Sequence, residues 1–185
     1  GAALTEGGGV YGWLMNTLQL DPTDAEAALN ERAPGVHGLT VLPLLGGERS
    51  PGYRANATAT FHGMRYATTP LDIFHAALEG IALRLMPIAD EILPPDGVMI
   101  GGGAAFEASP GWGQIIANAL NRPIHVSAEA ETTARGVSLL AKGGVSADHP
   151  PHIGEILHPN PDYAAQYRAL YQEQAELYAK FYGEQ

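Results

Sequence analysis

The chain has 185 residues, the size of a single domain, and it contains no cysteine. A chain without cysteine has no disulfides, no thiolate catalysis and no Cys-ligated zinc or iron–sulfur site. Ten Lys and Arg against twenty Asp and Glu give a formal net charge of −10. That balance argues against nucleic-acid binding, which needs a basic face, and the apolar runs fall short of the ~20 residues of a membrane span.

The N-terminal third predicts two helices, two strands and a connecting loop. These are the helices at 5–20 and 22–33, the strands at 39–45 and 57–61, and the loop at 46–52. Three glycines, Gly7 to Gly9, stand at the entrance of the first helix and leave bare backbone N–H groups there. Asp21 or Thr23 is the N-cap of the second helix.

A long helix over residues 69–93 is the clearest element. Thr69 suits the N-cap and Pro70 suits the first helical position. Apolar residues then recur at steps of three and four, which predicts one continuous stripe on a helix of about six turns. The stripe consists of Phe74, Leu78, Ile81, Leu85, Ile88 and Ile92. We expect His75 to lie off this stripe.

The second half alternates strands with helices, which predicts an α/β domain in layers. The elements are a strand at 98–100, a turn at 101–104, a helix from 109–110 onward, a strand at 123–126, a helix at 131–142, a loop at 145–160 and a helix at 162–182. We expect the tyrosines of the last helix to pack with their hydroxyls in water.

The turn Gly101-Gly102-Gly103-Ala104 is the strongest candidate for a ligand site. Ligands of open α/β sheets bind beyond the carboxyl ends of the strands, and glycine lets a ligand lie against the main chain. No Gly-Lys-Ser/Thr follows, so this is not a Walker loop, and the spacing fails the dinucleotide fingerprint. A tight strand-to-helix turn without any ligand stays open as the alternative.

Three other features have both a functional and a structural interpretation. The amides of Gly7 to Gly9 suit an anion such as phosphate, or they belong to a flexible leader. The pair Glu48-Arg49 contacts a polar ligand, or it forms a local ion pair that fixes its loop. The seven histidines lack ligand spacing on one helix face, so we predict no metal site.

Several of these segments together resemble the C-terminal domain of the FGGY family of carbohydrate kinases. The similarity runs from about residue 1 to about residue 143, and five motifs occur in the family's order. They are Gly1 to Gly8 followed by Trp13-Leu14, the stretch Leu42 to Tyr53, the stretch Ala76 to Ala82, Gly101 to Ala104 with Ser109-Pro110, and Glu131 with Ala134 to Gly136. The loop at 46–52 resembles gluconate kinases, and a xylulose-kinase-like member fits as well.

The resemblance implies an actin-like, RNase-H-like fold with a mixed sheet and flanking helices. Residues 1–185 would then be one domain, the C-terminal nucleotide-binding lobe of a two-lobe kinase, with residues 145–185 appended as a loop and a helix. ATP lies between the lobes in this family, and Mg²⁺ comes with the nucleotide. The residues that the resemblance places at the nucleotide are Gly8, Gly101, Gly102, Gly103, Ala104 and Ser109, with Ser109 at the adenine edge.

The function that the resemblance implies is transfer of the γ-phosphoryl group of MgATP to a sugar or sugar-acid hydroxyl in the cytoplasm. The sugar site and the catalytic aspartate belong to the N-terminal lobe in this family. The chain opens at Gly1 rather than at a methionine, so we expect part of a longer protein and no kinase activity from it alone. The oligomeric state stays open, with a homodimer as one option.

Two alternatives remain at this stage. The family's usual arginines are replaced here by Thr58 and His75, which suits a non-catalytic actin-like binding or assembly module with a degenerate nucleotide site. A Rossmann-type oxidoreductase would use Gly101 to Gly103 and needs an acidic residue about 20 positions later for the ribose. Glu129 and Glu131 lie too far along the chain for that role.

Overall fold

A computed structural model describes residues 1–129, 131–144 and 149–183. Its helices are α1 (Gly8–Thr17), α2 (Pro22–Glu31), α3 (Pro70–Ile92), α4 (Ala104–Ala108), α5 (Pro110–Leu120), α6 (Thr132–Ala141) and α7 (Ala164–Tyr182), with a 3₁₀ turn at Pro161–Tyr163 before α7. Its strands are β1 (Thr40–Leu42), β2 (Thr60–His62), β3 (Met99–Gly101), β4 (Ile124–Ser127) and β5 (Ile153–Leu157). None of the helices in these ranges is long and apolar enough to cross a membrane.

Two small sheets organise the strands. β3 pairs in parallel with β4, with Met99 opposite Ile124, and β5 adds to the other edge of β4 in the antiparallel direction. β1 and β2 form a separate antiparallel pair in which Val41 lies opposite Phe61. The mixed sheet with flanking helices is the α/β architecture that the sequence predicts.

The prediction of a loop at residues 145–160 is wrong at residues 153–157, which form β5. Residues 145–148 lie outside the described ranges, but Ile153–Leu157 pairs with β4. Four of the five residues of this edge strand are exposed, and Gly154 and Glu155 interrupt any apolar alternation. An edge strand that is exposed on both faces carries no period-two signal, which is why the sequence pattern hides it.

Helix α3 is the centre of the core. Thr69 and Asp72 form a reciprocal capping box at its start, as the Thr-Pro signal predicts. Phe74 and Leu78 on its N-terminal half are fully buried, whereas Ile92 at its end is 55% exposed. The helix packs on α5, α7 and β1, so the apolar stripe buries one end of α3 and leaves the other end open to solvent.

The last helix, α7, is part of this core rather than a peripheral addition. It packs against β1, α3 and α5, and Tyr167 on it is 1% exposed. The side-chain amide of Gln174 donates to the carbonyl oxygens of Val41 at 2.7 Å and Gly80 at 2.9 Å. α7 therefore ties the edge of β1 to the middle of α3 through buried hydrogen bonds.

Candidate functional site

The glycine turn, residues 101–104, lies where β3 ends beside its parallel neighbour β4. Gly103 has φ +101°, a backbone conformation that L residues rarely adopt. A Cβ built on Gly103 would meet no heavy atom within 4 Å, so its main chain faces open space. Helix α4 begins at the next residue, Ala104, which is exposed. The geometry at Gly103 and Ala104 fits a backbone-lined seat for a ligand.

The other two glycines of the turn are explained differently. A Cβ on Gly101 would lie 2.8 Å from Phe106 and 2.9 Å from Ile124, so packing inside the protein requires glycine there. Gly102 is exposed, and a Cβ on it would lie 3.2 Å from Thr132 and 3.3 Å from Ser127. The turn thus approaches the segment that joins β4 to α6, and packing fills the direction in which a side chain of Gly101 would point.

A cavity of about 340 Å³ adjoins the glycine turn and includes Gly101 and Gly102 in its wall. The remaining wall is almost entirely apolar and comes from the C-terminal half of α3, from β3, β4 and α5, and from Phe106. The turn is therefore not covered by packed protein. The cavity offers apolar surface beside exposed main chain, a combination that suits a flat ring joined to a polar group.

Helix α1 packs directly against α4, the helix that follows the glycine turn. Its N-cap residue is Gly7, and no side chain of the described residues caps this helix end. Gly8 and Gly9 are exposed, and the first N–H groups of any helix have no intrahelical acceptor. The second predicted glycine cluster thus presents amide donors on a helix that contacts α4.

Glu6 is an ionisable group that sequence reasoning missed. It is buried directly before the α1 glycines, and neither carboxylate oxygen has a hydrogen-bond partner outside its own backbone neighbourhood in the described structure. Burial raises the pKa of this carboxyl, and the positive charge of Arg84 offsets part of that effect. Nε of Arg84 is also buried, and it has no acceptor among the described residues. The unused donor of Arg84 and the unused acceptors of Glu6 are therefore complementary in charge and in hydrogen bonding.

Ser109 is a helix cap in the structure rather than a free hydroxyl. It is fully buried, it accepts from the backbone N–H of Trp112 at 3.3 Å, and it donates to Oε2 of Glu26 at 2.7 Å. Oε1 of Glu26 accepts from the N–H of Gly111 at 2.6 Å. The predicted Ser-Pro helix start is confirmed, and because Glu26 and Trp112 already engage this hydroxyl, its contact with adenine stays a prediction. Glu26 lies 83 residues away along the chain, so no local pattern reveals it.

Glu48 belongs to a buried cluster, here called the Glu48 cluster, with Arg54, Arg84 and Tyr178. Arg84 approaches it at 2.5 Å, Arg54 at 3.6 Å, and the Tyr178 hydroxyl donates to it at 2.6 Å. Burial opposes its ionisation, but the hydrogen bonds from Tyr178 and Arg84 outweigh that and hold its pKa below the usual range. Burial and the adjacent Glu48 raise the pKa of Tyr178 to about 12. The alternative of a local ion pair between Glu48 and Arg49 is wrong, because Glu48 pairs with the distant Arg84 and Arg54 instead.

Glu79 is the acceptor of a second buried cluster, here called the Glu79 cluster. It accepts from the Gly35 N–H at 3.1 Å, from Nε2 of His37 at 2.8 Å and from the Tyr167 hydroxyl at 3.2 Å. His75 lies beside the apolar stripe and is nevertheless buried next to Glu79, because this half of α3 is buried on all its faces. Burial lowers the pKa of His75, which keeps its ring neutral.

The donor atoms of His37, His75 and Glu79 lie within 4.8 Å of one another, a spacing that could hold a metal ion. The tautomer of His37 argues against it. The Leu39 N–H donates to Nδ1 of His37 at 3.0 Å, so the ring proton is on Nε2 and points at Glu79. A metal at Nε2 would have to displace that proton, so the arrangement favours a hydrogen-bonded network.

Comparison with known proteins assigns the family. Residues 2–142 match the C-terminal domain of the FGGY family of carbohydrate kinases. The chain belongs to this family. The expected actin-like fold is confirmed by solved structures of its members. A ligand-bound xylulose kinase from Lactobacillus acidophilus superposes with a TM-score of 0.81 at 26% identity, covering 97% of this chain and 39% of that one. A gluconate kinase from the same organism gives 0.79 at 26% identity, with the same coverage.

Curated relatives of this FGGY chain are sugar kinases. It is 33% identical over 145 residues to the xylulose kinase of Streptomyces rubiginosus, which covers 74% of this chain and 29% of the relative. It is 32% identical over 144 residues to the glycerol kinase of Albidiferax ferrireducens, covering 73% of this chain and 29% of the relative. The chain thus spans less than a third of the length of these relatives.

Proposed function

We propose that this FGGY chain is the nucleotide-binding half of an ATP-dependent sugar or sugar-acid kinase. The whole protein would transfer the γ-phosphoryl group of MgATP to a sugar hydroxyl, in the cytoplasm where MgATP is abundant. The observation that carries the proposal is the open backbone of Gly103 at the end of β3, in a domain of a kinase family. The names of its relatives favour a xylulose or gluconate kinase as the subgroup.

Different residues of the proposed site would contact different parts of the nucleotide. Gly102, Gly103 and Ala104 would hold the adenosine against the main chain, with the adjoining apolar cavity available to the flat base. The amides at Gly8 would lie near the phosphates, on the neighbouring element. These residues carry no carboxylate, so Mg²⁺ would come bound to the nucleotide, where it neutralises phosphate charge during transfer. Ser109 and Gly101 serve the fold beneath this seat.

The structure bears on the degenerate-module alternative at His75. The alternative rested on Thr58 and His75, which replace arginines usual in the family. His75 packs against His37 with ring centroids 5.4 Å apart, so this residue has an internal contact of its own. The Thr58 N–H donates to the Tyr182 hydroxyl at 3.0 Å, a main-chain bond that does not depend on the side chain at position 58.

Substitution of Gly103 tests the seat. Gly103→Val should abolish ADP binding measured by calorimetry, because a branched side chain would occupy the space of the nucleotide. Gly143 is the matched control, since it also has positive φ, +109°, and an open Cβ direction. Gly143→Val should show the same backbone strain and keep its ADP affinity. Equal ADP affinity in Gly103→Val and the unchanged chain would contradict the placement.

Activity of the chain alone tests the division between lobes. We expect no phosphorylation of xylulose, glycerol or gluconate by the purified chain, because phosphoryl transfer needs a correctly positioned acceptor as well as the nucleotide. A coupled ADP-release assay with each sugar measures this. Robust turnover would show that this chain holds the catalytic base and would overturn the assignment of half a site.

A further inference from the structure

A polar cleft of about 610 Å³ lies at the opposite end of the central sheet from the glycine turn. It is formed by the connection between α3 and β3, the connection between α5 and β4, and one residue of α7. The charged and histidine residues in its wall are Asp90, Asp96, Arg122, His125 and Arg168. β3 and β4 separate this cleft from the proposed nucleotide seat by roughly 10 Å of strand.

Arg122 and His125 are half-buried and form the floor of this polar cleft. Nη1 of Arg122 donates to the carbonyl oxygens of Pro94 at 2.9 Å and Pro95 at 3.2 Å. These two bonds orient the guanidinium group, and its Nε and Nη2 have no acceptor among the described residues. The floor therefore presents a positioned cation with unused donors.

Arg168 adds a second cation at the rim. It is exposed on α7, and in the described part of the chain it has neither an ion pair nor a side-chain hydrogen bond. Among the described residues, four other arginines form ion pairs, such as Arg32 with Asp72 and Arg135 with Glu129, whereas Arg49 and Arg65 do not. Two guanidinium groups with free donors thus line one concave surface, in a chain with only ten Lys and Arg.

The carboxylates limit the size of the ligand. Asp90 and Asp96 also line the cleft, but both are exposed, and neither forms an ion pair with Arg122 or Arg168 within the described ranges. Exposed carboxylates repel a long polyanion that spans the cleft, whereas a small anion needs contact only with Arg122 and Arg168. Guanidinium forks match the oxygens of phosphate in a bidentate geometry.

We propose that the polar cleft binds the phosphate group of a small molecule, either inorganic phosphate or a phosphate monoester, with Arg122 and Arg168 as its main ligands and His125 as a further contact. The site goes beyond the proposed kinase function, since it lies at the far end of the strands from the nucleotide seat. It needs no metal ion and no covalent step.

A titration of the isotope-labelled chain with inorganic phosphate, methyl phosphate and sulfate, followed by NMR, tests this site. We expect saturable shifts of the backbone amides of Gly97, Asn121 and Arg122. Arg168→Gln should weaken binding about tenfold, the loss of one charge-assisted hydrogen bond, and the fold is expected to tolerate it because this exposed side chain has no ion pair or hydrogen bond to lose among the described residues. Tighter binding of inorganic phosphate would indicate a site for free phosphate, and tighter binding of methyl phosphate would indicate a site for a phosphate monoester.

Lys180→Gln is the matched control, because it removes one positive charge from an exposed position of the same helix. It should leave the phosphate affinity unchanged. No saturable shift at these amides, or equal weakening in both variants, would overturn the proposal. Shifts at Gly8 and Gly9 instead would place the anion at the α1 entrance. Failure of ADP to bind leaves this test unaffected, so the two proposals stand or fall separately.

Discussion

The Glu48 cluster and the glycine turn both come from family motifs, yet they are opposite in character. In the Glu48 cluster, charged side chains turn inward and pair with one another: the Glu48 side chain is fully buried and Arg84, which pairs with it, is 8% exposed. In the glycine turn, the side chains are missing and the main chain at Gly103 faces open space. The charged motif therefore holds the fold, whereas the motif without side chains leaves room for a ligand.

This difference shows that a charged motif in a loop does not by itself indicate a binding site. A Glu-Arg pair between glycines has the composition of a binding loop, but here the glutamate finds its partners 36 and 130 residues away. Buried charges of this kind are costly to unpair, so they are retained for stability even without any contact to a substrate. Variants that separate stability from nucleotide affinity sharpen the contrast between the two regions.

The largest effect is expected from Arg84→Met. It leaves the Glu48 carboxylate buried with only the more distant Arg54 and the Tyr178 hydroxyl, which should lower the free energy of unfolding by about 4 kcal/mol. Urea denaturation measures the change. The double variant Arg84→Met/Glu48→Leu should recover most of the loss, since it removes the unpaired charge as well. A single variant as stable as the unchanged chain would show that the pair contributes nothing.

A somewhat smaller loss is expected from Glu79→Leu, which leaves three buried donors without an acceptor. These are the Gly35 N–H, the His37 ring and the Tyr167 hydroxyl, and we expect a destabilisation of about 3 kcal/mol. Tyr167→Phe removes only one of these donors and should cost about 1 kcal/mol. If both variants lose the same amount in thermal or urea unfolding, the Glu79 cluster does not act as one network.

The Glu48 cluster also predicts a dependence of stability on pH. The pKa of Glu48 is below its unfolded value of 4.5, so its contribution is present above pH 4.5 and is lost as the pH falls through the folded value. The pKa of Tyr178 is raised from 10.0 to about 12, so stability should fall again across that range. In Glu48→Gln, the free energy of unfolding should depend less steeply on pH below about 4.5 than in the unchanged chain. The same steepness in both chains would show that Glu48 is not the source of the acid sensitivity.

The smallest effect is expected from Ser109→Ala. Loss of the N-cap of α5 should cost about 1 kcal/mol of stability. The ADP affinity should stay within about twofold, because a buried hydroxyl held by Glu26 does not reach a ligand. A drop in ADP affinity without any loss of stability would reverse the assignment and return Ser109 to the nucleotide site.

Elements with local signals could be predicted from the sequence. The capping box and apolar stripe of α3 and the Ser-Pro start of α5 occur where they were expected. The glycine turn was also located, since a strand followed by three glycines is a local pattern. These features depend on residues within a few positions of one another, which is why periodicity and capping chemistry are enough to find them.

The features that could not be predicted from the sequence depend on contacts between segments that are distant along the chain. The partners of Glu79 lie 42 to 88 residues away, so neither the burial of His75 nor the role of the Tyr167 hydroxyl follows from spacing. Of the tyrosine hydroxyls expected to face water, those of Tyr167 and Tyr178 instead bond to Glu79 and Glu48. Gly101 shows the same limit, because only the positions of Phe106 and Ile124 reveal that packing requires glycine there.

Helix α7 completes buried contacts of the region that the family model matches. The match stops at residue 142, yet Tyr167, Gln174 and Tyr178 on α7 supply hydrogen bonds to Glu79, to the β1 edge and to Glu48. A chain shortened to the matched region would uncover two carboxylates and an unpaired strand carbonyl at once. Residues beyond the range of sequence similarity therefore contribute to the stability of that range, and expression of this region should keep α7.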